Sequence, residues 1–176
     1  MTSDNYYAPE FCLLSINCSW ILESRSVNCN TNDLSICLNS LQLEKLDKTK
    51  VDGKTALEGK VIALYFSAHW CPPCRQFTPI LKDFYEEVGG ELEIIFVSMD
   101  RSETDLKSYM RECHGDWYHI PFGSADIKKL SQAYGVSGIP ALIIVKENGE
   151  VITKNGRDDV TSGSKPKAVV AKWKSA

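Results

Sequence analysis

Trp70-Cys71-Pro72-Pro73-Cys74-Arg75 stands at the junction of two hydrophobic patterns. Ahead of it the continuous apolar run Val61-Ile62-Ala63-Leu64-Tyr65-Phe66-Ser67 reads as a strand buried on both faces. Behind it Phe77, Ile80, Leu81, Phe84, Tyr85 and Val88 recur at helical spacing, and Gly89-Gly90 supplies the stop. Two thiols three residues apart can bridge each other with little rearrangement. At a strand-to-helix junction the first of them, Cys71, sits at the positive end of the helix dipole. That position favours the thiolate, which is the reacting species. A Cys-x-x-Cys in this setting reads as a dithiol redox motif. Pro72 and Pro73 fix two φ angles between the thiols and remove two backbone donors. Arg75 adds a positive charge next to Cys74 that favours the thiolate, or is a solvated residue on an exposed helix face. Pro79 lies within the helical pattern and is expected to kink it.

The rest of the chain supplies the frame. Leu92-Glu93-Ile94-Ile95-Phe96-Val97-Ser98 is a second buried strand, and strand–helix–strand order implies a parallel, right-handed crossover to the Val61 strand. Ser102 with Asp105 marks a helix start, with Leu106, Tyr109, Met110 and Cys113 on one face. Cys113, on that apolar stripe, reads as structural. Residues 117–122 read as a loop, and Ser124 as the cap of a short helix carrying Ile127, Leu130 and Tyr134. Ala141–Val145 is a further strand, turned by a two-residue Asn148-Gly149 connection into an antiparallel partner from Glu150. Lys165–Trp173 closes the chain as a helix, and residues 40–46 are expected to open the domain as its first strand. The sum is an α/β fold of three layers, a mixed sheet with helices on both faces.

With Tyr65-Phe66-Ser67-Ala68-His69 before it and Gln76-Phe77-Thr78-Pro79 after it, the Cys-x-x-Cys stretch resembles the thioredoxin superfamily. Trp-Cys-Pro-Pro-Cys with Phe-Ser-Ala upstream is similar to its tryparedoxin and nucleoredoxin branch, nucleoredoxin-like proteins included. The resemblance runs from about Leu41 to near the C-terminus. It identifies the three-layer architecture as thioredoxin-like, and it implies a protein-disulfide reductase of cell redox homeostasis. In that mechanism Cys71 attacks a partner disulfide and Cys74 resolves the mixed disulfide. The implied partners are disulfide-containing proteins and an upstream reductase or low-molecular-weight thiol. The implied redox centre is the Cys71–Cys74 disulfide itself, with no cofactor. The resemblance also makes the Ile139-Pro140 bond cis, faces it to the dithiol, and offers the Ile139 backbone to an incoming peptide. It brings Trp117 and Tyr118 to the active-site rim, where they shape partner choice or cover the core. Trp70 is expected to be a flat apolar surface beside the nucleophile. Tyr65 stands where thioredoxins carry a buried aspartate, so the proton of Cys74 must be handled by Tyr65, water or another group. His69 is read as an exposed loop residue.

Two further readings use the same residues. One is a redox-responsive binding module in which turnover is incidental. The other is a metal site on Cys71 and Cys74, which zinc would need two more ligands to complete, and no second pair at suitable spacing follows.

Net charge is −3, and residues 1–40 carry all of it, with Arg25 against Asp4, Glu10, Glu23 and Asp33. The remaining stretch is neutral, which leaves no electrostatic footprint for nucleic acid or an anionic membrane. No segment is apolar for the length a bilayer requires. Of the seven cysteines, Cys12, Cys18, Cys29 and Cys37 fall at no zinc spacing. Residues 1–40 lack periodicity and are expected to be a mobile tail, with 41–176 as the folded domain. Seven cysteines without a compact framework and the absence of a secretory pattern point to an intracellular, reducing compartment. The location is expected to be the cytoplasm with the nucleus as a second, and the chain is expected to be a monomer.

Overall fold

The computed structural model describes residues 38–176. The expectation of a mobile tail therefore falls almost wholly outside the described residues, as do Cys12, Cys18, Cys29 and Cys37. Leu38 is fully buried among Leu41, Leu43 and Leu57, so the folded unit reaches back at least to residue 38, beyond the expected boundary at 41.

After a 3₁₀ turn at Leu38–Ser40, the elements are β1 (Gln42–Glu44), β2 (Lys50–Asp52), α1 (Gly53–Leu57), β3 (Val61–Ser67), α2 (Pro72–Val88) and β4 (Leu92–Ser98). They continue with α3 (Glu103–Cys113), β5 (Tyr118–His119), α4 (Ala125–Ala133), β6 (Ala141–Val145), β7 (Val151–Thr153), α5 (Gly156–Thr161) and α6 (Pro166–Lys174). One seven-stranded sheet runs β2-β1-β5-β4-β3-β6-β7. β4 is its middle strand, and β3 beside it is parallel to β4 and antiparallel to β6. Every residue of β3 and β4 is buried, which is why both sequences are mainly apolar without alternation; Glu93 of β4 is paired with Lys60.

The two sheet faces carry separate cores. On one, Ala63, Tyr65, Ile94 and Phe96 meet α2, α3, α5 and α6 through Phe77, Leu81, Tyr109, Val160 and Trp173. On the other, Ile62, Leu64, Phe66, Ile95 and Val97 meet α1 and α4 through Leu57 and Leu130. The architecture is thus the thioredoxin-like three-layer α/β fold. α2 continues through Pro79 to Val88, and Gly89 at φ 69° ends it in the left-handed region that glycine tolerates.

Three local expectations change. The opening strand over 40–46 is a 3₁₀ turn and a shorter strand, hairpinned to β2 in the register Leu43↔Val51. The β6–β7 connection is longer than two residues. Gly149 N–H donates to the Lys146 carbonyl and Lys146 N–H to that of Glu150, with Gly149 at φ 85°, the geometry of a turn followed by a left-handed glycine. Residues 118–119 are not loop but β5, bridging β1 to β4.

Candidate active site

Register brings three distant segments to one edge of the sheet. Ser67 at the end of β3 is level with Ser98 at the end of β4, and Ala141 at the start of antiparallel β6 pairs Phe66. The segments attached there are Ala68–Cys71, Met99–Asp100 and Ile139–Pro140.

Cys71 is the N-cap of α2, in extended conformation, and Pro72 and Pro73 occupy the first helical positions. Proline suits those positions because their N–H groups would have no partner within the helix. The turn is closed by Cys71 N–H to the Ala68 carbonyl at 3.2 Å and Arg75 N–H to the Cys71 carbonyl at 3.1 Å. Cys71 and Cys74 are joined as a disulfide with their Cα atoms 5.2 Å apart, inside the normal range for such bridges. Cys74 is fully buried, while Cys71 keeps 5% of its surface. Arg75 is exposed and makes no ion pair among the described residues.

The Ile139–Pro140 bond is cis, and the Ile139 carbonyl oxygen lies 4.0 Å from Cys71 Sγ. Arg157 of α5 fastens this segment. Its guanidinium donates to the Pro140 carbonyl at 3.1 Å and lies over the Phe77 ring of α2, 5.5 Å from its centroid. Nothing in the sequence marked Arg157, a single basic residue after the hairpin.

Trp70 is 53% exposed beside Cys71. Its indole N–H donates to the Met99 carbonyl at 3.2 Å, and the Arg101 guanidinium lies 5.8 Å from the ring centroid. A groove of about 650 Å³ begins at Met99 and Asp100 and continues past Phe122, Ile127 and Val136. Asp100 accepts from His69 N–H at 2.7 Å and from the Ser98 hydroxyl at 2.8 Å. Burial pushes its carboxyl above the usual range, against the pull of those two donors. His69 is less free than a loop residue. Its imidazole stacks on Tyr109 with ring centroids 5.5 Å apart and pairs with Glu112 at 2.9 Å.

Tyr65 is buried on the first-core face, and its hydroxyl is 2.8 Å from that of Thr78. Burial, reinforced by neighbouring Tyr109, pushes its phenol well above the ordinary value. Thr78 also contacts the Tyr109 hydroxyl, and Ser67 lies 3.0 Å from Tyr109. Spacing made Tyr109 only one of several apolar-stripe residues, since its partners come from elements 31 and 42 residues away.

Trp117 is the clear correction. It is 1% exposed, packs edge-on against Tyr85 with centroids 5.5 Å apart, and donates its indole N–H to His114 Nδ1 at 3.0 Å. Next to β5, it is drawn into the core by α2 and α3 and presents no surface to a partner. Cys113 is partly buried against the same core, and burial raises its thiol. Among the described residues no group of three or more His, Cys, Asp and Glu side chains is placed to hold a metal, and no helix is long and apolar enough to cross a membrane.

Comparison with known proteins agrees with this geometry. A family model described as Thioredoxin-like matches residues 59–151. Mouse nucleoredoxin is 47% identical over 110 residues, 60% of this chain and 25% of nucleoredoxin. The chain thus spans about a quarter of the length of that relative. Tryparedoxin of Trypanosoma brucei brucei is 38% identical over 109 residues, covering 60% of this chain and 74% of tryparedoxin. The crystal structure of thioredoxin from Wuchereria bancrofti superposes with a TM-score of 0.70 at 57% identity, over 79% of this chain and 98% of that one. These relatives imply thiol–disulfide redox chemistry at Cys71 and Cys74. The chain belongs to the thioredoxin-like family, with nucleoredoxins and tryparedoxins among its homologues.

Proposed function

We propose that the protein is a protein-disulfide reductase. The observation that carries this reading is the Cys71–Cys74 pair at the N-terminus of α2, facing cis-Pro140 with Trp70 exposed alongside. In the reduced protein the helix terminus stabilises the Cys71 thiolate. That thiolate attacks one sulfur of a partner disulfide, and the other partner sulfur leaves as a thiolate and takes up a proton. Cys74 then attacks Cys71, the mixed disulfide breaks, and the second partner thiolate departs. The partner is reduced by two electrons while the dithiol becomes the disulfide. An upstream reductase or a low-molecular-weight thiol restores the dithiol.

Partner recognition is assigned to the surface around the dithiol. The Ile139 backbone offers edge pairing to an extended peptide, Trp70 offers an apolar face, and the adjoining groove accepts a flanking side chain. Pro72, Pro73 and Arg75 support the nucleophile's turn, and no cofactor beyond the disulfide is invoked. The protein is proposed to act as a monomer in the cytoplasm and nucleus, on protein partners rather than nucleic acid or membranes.

Insulin reduction tests the proposal. Turnover with a reducing system is expected, with complete loss in Cys71→Ser and accumulation of mixed disulfides in Cys74→Ser. Negligible wild-type turnover together with binding that depends on the dithiol's redox state would replace the reductase with a redox-responsive binding module.

A further inference from the structure

Four buried hydroxyls lie against the turn that carries Cys74, and their protons can all be assigned. Thr78 has one hydroxyl proton, and the Cys74 carbonyl, which can only accept, takes it at 2.8 Å. Tyr65, 2.8 Å from the same Thr78 oxygen, must therefore donate to it, and so must Tyr109. With the Tyr109 proton spent on Thr78, Ser67 donates to Tyr109 at 3.0 Å. Every proton in the cluster is committed, and the chain of donors runs towards the Cys74 carbonyl. The other side of the cluster reaches the segment ahead of Cys71, because the Tyr109 ring stacks on His69, which also pairs with Glu112. Tyr109 thus touches both the segment that leads into the nucleophile and the helical turn that bears the resolving thiol.

We propose that Thr78 and Tyr109 are positioning residues for the resolving step, holding the Cys74 turn in place without carrying the proton of its thiol. This rests on the exchange reading of the dithiol. In the step itself the Cys74 thiol gives its proton to water or to the departing thiolate. Its sulfur bonds to Cys71, the bond from Cys71 to the partner breaks, and the partner sulfur leaves with the electron pair. Cys71 and Cys74 end oxidised, the partner reduced, and no hydroxyl of the cluster gains or loses a proton. The burial that keeps Tyr65 a neutral phenol agrees with this.

The test is rapid mixing of the reduced protein with dithiobis(nitrobenzoate), across a range of pH. A first phase releases one thionitrobenzoate as Cys71 forms the mixed disulfide, and a second releases another as Cys74 resolves it; release from the other five cysteines is measured in a Cys71→Ser, Cys74→Ser protein and subtracted. Thr78→Val and Tyr109→Phe are expected to slow the second phase about fivefold, the effect of one neutral hydrogen bond. Thr78→Ser restores it. The first phase and the pH midpoint of the second stay put in these variants and in Tyr65→Phe. An unchanged second phase in both Thr78→Val and Tyr109→Phe overturns the positioning role. So does a shifted midpoint in Tyr65→Phe or Tyr109→Phe, which would make a phenol the proton carrier. Tyr109→Phe keeps the ring and its stack on His69, so the outcome does not hang on whether Thr78→Val folds. A wild-type protein with no second phase would overturn the exchange reading as well, and that result is distinct from two phases that ignore the variants.

Discussion

Acidification should destabilise this domain through His114. His114, the C-cap of α3, is enclosed by Phe96, Tyr109 and Trp117, with ring centroids 4.5, 4.5 and 5.1 Å away. Trp117 donates to Nδ1, which places the His114 proton on Nε2, a buried atom with no hydrogen-bond partner. Burial, with a smaller contribution from nearby His119, pushes the folded-state pKa from 6.5 down to about 3. The fold therefore holds the neutral ring, whereas the unfolded chain takes up a proton below 6.5. The stabilisation is complete above pH 6.5 and is lost progressively as pH falls towards 3, at about 1.4 kcal/mol per pH unit. At a pH two units below 6.5 the loss is about 2.7 kcal/mol, a large share of the 5–15 kcal/mol typical of a domain. The assay is urea denaturation at neutral pH and at that lower pH, for wild type and His114→Gln. Glutamine keeps an acceptor for Trp117 and cannot charge. The variant should lose about 2–3 kcal/mol less than wild type between the two conditions. Carboxylates that take up protons as the pH falls are common to both proteins and cancel in the comparison. Equal pH slopes in the two proteins would refute the argument.

Gly156→Ala should destabilise the domain by about 1–3 kcal/mol, because a Cβ there would lie 2.8 Å from the Leu142 carbonyl oxygen and 3.0 Å from the Ile144 side chain. Chemical denaturation measures it, and a neutral result would mean that α5 shifts freely away from β6. Ser102→Ala should cost about 1 kcal/mol, since the Ser102 hydroxyl caps α3 by accepting from Asp105 N–H at 3.1 Å. Amide exchange in the first turn of α3 should rise with it, and unchanged protection there would contradict the capping role.

What the sequence made legible is what its periodicity could carry. β3, β4 and β6 are dominated by apolar residues, and α2 repeats its buried face through several turns, so the centre of the sheet and the helix that begins at the dithiol were both readable. The short elements were not. β1 and β2 have three residues each, β5 has two, and α1 and α5 have five and six, all too brief to show a period. Trp117 misled because its neighbours in sequence look like a loop, while its burial comes from Tyr85 in α2 and His114 at the C-cap of α3. At the site, Cys71, Cys74 and Trp70 sit in one contiguous motif and could be found by reading along the chain. Tyr109, Arg157 and Asp100 act through partners 31, 17 and 31 residues distant, and only folding brings those pairs together.

Since β6 runs opposite to β3 and β4, the other pole of the sheet belongs to other loops: Gly59–Lys60, Gly89–Glu91 and Glu147–Gly149. None of these touches the dithiol, the cis-proline segment or the Trp70 surface. A fusion partner, a fluorescent label or a lengthened loop grafted there would leave the sulfur chemistry undisturbed, and that pole is the natural handle by which to immobilise the protein with its reactive edge outward.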